Sequence, residues 1–60
     1  MVEIRVVKTP KGFRVDRITW INKHKGIFSK RILKYFHYDN AKRCAERFAD
    51  KMRIKEGLRL

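Results

Sequence analysis

The chain is 60 residues long and carries 17 Lys and Arg against six Asp and Glu, a net charge of +11. That length allows one domain, and a single cysteine, Cys44, excludes an internal disulfide. A hydrophobic content of 43% is too high for a disordered polycation, and no apolar run is long enough to span a bilayer, so no membrane partner is expected.

Val2, Ile4 and Val6 alternate with Glu3 and Arg5, the period of a half-buried strand over about 2–9. This segment therefore reads as structure and not as a leader, and the chain, which begins with Met1, reads as complete. Thr9-Pro10-Lys11-Gly12 is a tight turn, with Pro at the second position and Gly at the fourth.

A second strand is expected over about 13–21. Phe13 and Val15 share one face, whereas Ile18 and Trp20 fall out of phase with them. Either a bulge sits near Asp16-Arg17, the reading favoured here, or the strand is apolar on both faces. The polar run Asn22-Lys23-His24-Lys25-Gly26 suits a longer hairpin loop, and a third strand follows over about 27–36.

Ala41, Cys44, Ala45, Phe48, Ala49 and Met52 form one apolar stripe of a helix over about 40–56. Asp39 suits its N-cap and Gly57 its C-cap. On the other face, Glu46 and Asp50 have basic neighbours three or four residues away, so that face reads as partly self-neutralised. The fold class expected is α+β: residues 1–60 as a single domain, a three-stranded antiparallel sheet packed on one C-terminal helix. One sheet face is then left open. A domain of this size buries only about 60% of its unfolded surface, so a homodimer stays open as a source of stability.

The charge is unevenly spread. Up to His37 there are ten cations, Arg5, Lys8, Lys11, Arg14, Arg17, Lys23, Lys25, Lys30, Arg31 and Lys34, against only Glu3 and Asp16. Such an excess on strands points to a nucleic acid as partner. If Ile4, Val6, Phe13 and Val15 face the helix, then Glu3, Arg5, Val7, Arg14 and Asp16 point outward. Lys30, Arg31 and Lys34 are ambiguous by one register. Arginines on such a face can pair with guanine edges in a major groove, while Lys11, Lys23 and Lys25 in the turns lie near phosphates. The competing reading is that these charges only keep the sheet soluble and block edge pairing. Trp20 either stacks on a base or belongs to the core.

Gly12-Phe13-Arg14-Val15-Asp16-Arg17-Ile18 resembles the Gly-x-Trp-x-Ala-x-Ile second strand of AP2-type DNA-binding domains, with Phe13 where the Trp stands. Phe36, Asp39, Ala41, Ala45, Phe48 and Gly57 are similar to that family's Phe, Ala-rich helix and trailing Gly, although Tyr35 replaces the usual Gly before the Phe. The arm-binding domains of phage tyrosine integrases share the arrangement. The resemblance implies base contacts from the first two strands, hence from Arg5, Arg14 and Arg17.

No enzyme is expected. His37 beside Asp39 has no nucleophile, there is no phosphate-cradling Gly loop, and Cys44 with His24 and His37 is too sparse a set for zinc. No cofactor is expected. The lone thiol fits a reducing compartment, the cytoplasm or nucleoid of a host cell. The first reading is a small DNA-binding accessory or regulatory factor of a phage or mobile element. One alternative is RNA or single-strand binding, which needs Trp20, Phe28 or Tyr35 exposed. Another is an inhibitor or adaptor docking on an acidic host protein, which needs an exposed apolar patch such as Val7, Ile54, Leu58 and Leu60.

Overall fold

The computed structural model describes residues 1–38 and 41–58. The N-terminal alternation becomes strand β1, Val2–Thr9; β2 spans Gly12–Asn22, β3 Ile27–Phe36, and helix α1 Ala41–Lys55. The strands form one antiparallel sheet in the order β1-β2-β3. Together they make the α+β, three-strands-then-helix arrangement expected of the sequence.

The β1–β2 register is regular from Val2↔Thr19 to Thr9↔Gly12, joined by the two-residue loop Pro10-Lys11. The bulge expected near Asp16-Arg17 in β2 is not there. β2 alternates without a break, and Ile18 and Trp20 lie on the face away from the helix, so this strand is apolar on both faces. The irregularity sits opposite, in β3: Val15 pairs with Lys34 but Asp16 with Ile32, which leaves Leu33 as the extra residue. A second shift, between Trp20 and Asn22, leaves Ile21 unmatched near the hairpin end. Bulges bend and twist a strand, and here the one at Leu33 reverses which β3 residues face the helix. Lys34 and Phe36 face it on one side of Leu33; Arg31 does so on the other, paired with Arg17. Phe28, Lys30 and Ile32 turn to the open face.

The core lies between sheet and helix. Ile4, Val15, Phe36, Ala41, Ala45 and Ala49 are buried, with Val6, Phe13, Leu33, Cys44, Phe48 and Met52 packed around them. Three alanines at a spacing of four let the helix backbone approach the sheet closely, and Phe36 fills the remaining space against Phe48, ring centroids 5.8 Å apart. Cys44 is a free, half-buried thiol beside Tyr38, whose hydroxyl it pushes to a higher pKa.

Gly57 ends the helix in the left-handed region (φ 74°). Its amide donates to Ile54 O at 3.0 Å and that of Leu58 to Arg53 O at 2.8 Å, a Schellman cap that satisfies two terminal carbonyls. At the other end, the Ala41 amide donates to Tyr38 O. The expected N-cap, Asp39, and the terminal Leu60 lie outside the described residues. No helix among the described residues is long and apolar enough to cross a membrane.

Candidate nucleic-acid interface

Cross-strand pairing in a sheet puts opposite residues on one face. The open face therefore carries three rows across the strands: Val7, Arg14 and Tyr35; Arg5, Asp16 and Ile32; Glu3, Ile18 and Lys30. Trp20 and Phe28 close it at the hairpin end, their rings 5.1 Å apart.

Both arginines on this face are anchored. Arg14 Nε donates to the two carboxylate oxygens of Asp16, at 3.0 and 3.1 Å. Arg5 Nε donates to Glu3, which also accepts from the Trp20 indole N–H at 3.4 Å. Asp16 is only 1% exposed, the one buried charged residue among those described. A carboxylate so placed is tolerable because Arg14 neutralises it, and in return it fixes the guanidinium direction. Each arginine engages its carboxylate through Nε alone. The Nη1 and Nη2 groups of both make no hydrogen bond among the described residues, and they are the donors a base edge requires.

Arg5 also lies 5.9 Å from the centre of the Trp20 ring, and Lys23 reaches over the same ring from the loop at 5.9 Å. Trp20 is thus half-buried on the open face and takes no part in the helix–sheet core. Phe28 and Tyr35 are 46% and 49% exposed there.

The ten cations singled out in the sequence divide into three groups. Arg5, Arg14 and Lys30 stand on the open face, joined by Lys23 from the loop. Lys11 and Lys25 are exposed in the two hairpin loops. Lys8, Arg17, Arg31 and Lys34 belong to the helix side. Arg17 is drawn off by Glu56 at the helix end, with Nε and Nη2 both 3.2 Å from its carboxylate, and it also donates to Thr19. Lys34 sits over the rings of Phe36 and Phe48, at 5.2 and 5.6 Å.

Sequence reasoning passed over Glu3 and Asp16 as functional residues. The signal was available: an acid and an arginine two apart in a strand share a face, as in Glu3/Arg5 and Arg14/Asp16. The helix carries part of the self-neutralisation expected of it, since Arg53 donates to Asp50 at 2.9 Å. Glu46, Asp50 and Arg53 line a groove against β1 with Val2, Ile4 and Val6. Lys34, Arg47 and Lys51 meet on the β3 flank.

The Arg5 guanidinium holds the Glu3 carboxyl below the ordinary glutamate range, with smaller help from Trp20 and Lys23 and some opposition from burial. A carboxyl whose pKa is lowered on folding contributes stability above its unfolded value, and that contribution is lost as pH falls through the folded value. An NMR titration should give Glu3 a midpoint below the unfolded-chain value of about 4.3. Arg5→Ala should bring it back up; a wild-type midpoint at or above that value contradicts the pairing.

No cluster of His, Cys, Asp or Glu among the described residues could hold a metal ion. A scan against protein-family models, a search of curated proteins and a search of solved structures each found no match for this chain.

Proposed function

We propose that the protein binds duplex DNA by laying its open sheet face in the major groove. The observation that carries this reading is the pair of arginines held through Nε on an uncovered face, with their outer donors unused. Arg5 and Arg14 address base edges. Lys23 and Lys30 on that face, and Lys11 and Lys25 in the loops, meet phosphates. Three strands about 4.8 Å apart make a backbone ribbon roughly 10 Å across, which suits a groove about 12 Å wide. Glu3 and Asp16 act as positioning residues. An accessory or regulatory factor of a phage or mobile element is the role this size and charge suit best.

A second reading, single-strand or RNA binding, draws on Phe28 and Tyr35, whose exposed rings offer stacking surfaces beside Trp20. Fluorescence anisotropy separates the two. A labelled random-sequence duplex and a single-stranded RNA are each titrated at several salt concentrations. The groove reading expects tighter binding to duplex, with log affinity falling by about 0.9 per phosphate contacted for each decade of salt. Preference for the single strand overturns it in favour of stacking. Failure of both probes at low salt overturns both readings and leaves an acidic protein as the partner to seek.

A further inference from the structure

The open face is not where the chain's unpaired charge is densest. There Glu3 and Asp16 neutralise Arg5 and Arg14. On the β3 flank of the helix the balance is different. Arg47 and Lys51, about one turn apart on α1, are both exposed there. Arg47 and Lys51 share a groove with Lys34, Phe36, Cys44 and Phe48. Asp50 reaches the same groove but is tied to Arg53 at 2.9 Å. Arg31 and Lys34 add two charges from the exposed edge strand. None of Arg31, Lys34, Arg47 and Lys51 forms an ion pair among the described residues.

We infer that this flank is a second phosphate-binding surface, and that the protein bridges two duplexes. The inference rests on the groove reading of the open face. At 1.5 Å per residue Arg47 and Lys51 lie about 6 Å apart along the helix axis. One DNA strand presents a phosphate about every 3.4 Å of axis, so this pair matches roughly two successive phosphates. It does not serve the duplex already held on the open face. The major groove is only about 8.5 Å deep, and the helix is packed on the opposite side of the sheet, outside the groove rim. Phosphate positions without reading sequence, so the second duplex is held regardless of its bases.

The test uses two duplexes, one labelled with a donor fluorophore and one with an acceptor, mixed with the full chain near 0.15 M salt. At that salt the Debye length is about 8 Å, so the flank charges are largely screened from a duplex on the far face. The wild type should produce energy transfer between the duplexes. Arg47→Gln/Lys51→Gln should bind a single duplex within about threefold of wild type in anisotropy but lose at least tenfold in the protein-dependent transfer. Both substituted residues are exposed and form no ion pair among the described residues, and circular dichroism checks that the helix is intact. Transfer that persists undiminished in the double variant overturns the inference and assigns bridging to a protein dimer. Single-duplex binding without transfer in the wild type overturns it while leaving the groove reading intact. Loss of single-duplex binding in the double variant overturns it by making the flank the sole DNA site, and with it the groove reading fails.

Discussion

Gly12→Ala should lower the melting temperature by roughly 10–20 °C, read by thermal circular dichroism. A Cβ built on Gly12 stands 2.1 Å from the carbonyl oxygen of Phe36 and 3.2 Å from its carbonyl carbon. Both are backbone atoms in β3, so no side chain can swing away. Relief requires β2 and β3 to part where Phe13 pairs with Phe36, and Phe36 is a buried member of the core. Overpacking of this kind costs about 1–3 kcal/mol or more, against a stability of only about 5 kcal/mol for a small domain. In a chain this short each kcal/mol moves the midpoint by about 4–8 °C. Gly26→Ala is the comparison. Gly26 has φ 71° with nothing within 4 Å of its added carbon, so only the left-handed backbone is penalised, about 1 kcal/mol. If the two variants melt within about 3 °C of each other, close approach is not what selects glycine at position 12.

Arg14→Lys should weaken duplex binding about tenfold or more while leaving the fold and the salt slope nearly unchanged. The lysine keeps the charge and can still reach Asp16, so the buried carboxylate stays neutralised. It lacks the planar fork, and a bidentate contact to a guanine edge is worth about 1–3 kcal/mol of discrimination. Arg14→Ala is the less informative variant, because it strands Asp16, 1% exposed, without its partner and mixes lost binding with lost stability. Competition anisotropy at two salt concentrations, with melting curves for both variants, separates the terms. Unchanged affinity in Arg14→Lys would show that the fork reads nothing and that position 14 contributes charge alone.

Local chemistry made much of the fold legible before any coordinates. Alternation at Val2, Ile4 and Val6 marks β1, Pro10 and Gly12 mark the turn, and the Ala-rich stripe marks α1, because each is a short-range pattern with one sterically consistent outcome. Gly57 was readable as a helix stop for the same reason, and the structure closes it with a Schellman cap. Strand phase was another matter. Ile18 and Trp20 look misplaced only if one face of β2 must be polar. As the central strand, β2 is covered on both sides by its neighbours, and Ile18 is 3% exposed on the open face. The bulge at Leu33 depends on how β3 registers against β2, which its own residues do not specify.

The sequence by itself determined the composition of the candidate site: a large cationic excess on strands with few acids among them. Tertiary structure decided how that charge is shared out. Packing the helix across one face sends Arg17 to Glu56, 39 positions away in the chain, and leaves Arg5 and Arg14 braced on the other. The same packing turns Glu46 and Arg53 toward β1 and Arg47 and Lys51 toward β3, with Asp50 reaching both grooves. Net charge is a sum over residues and can be counted along the chain. Which charges cancel is a matter of distances of a few ångströms, and those exist only once helix and sheet have docked.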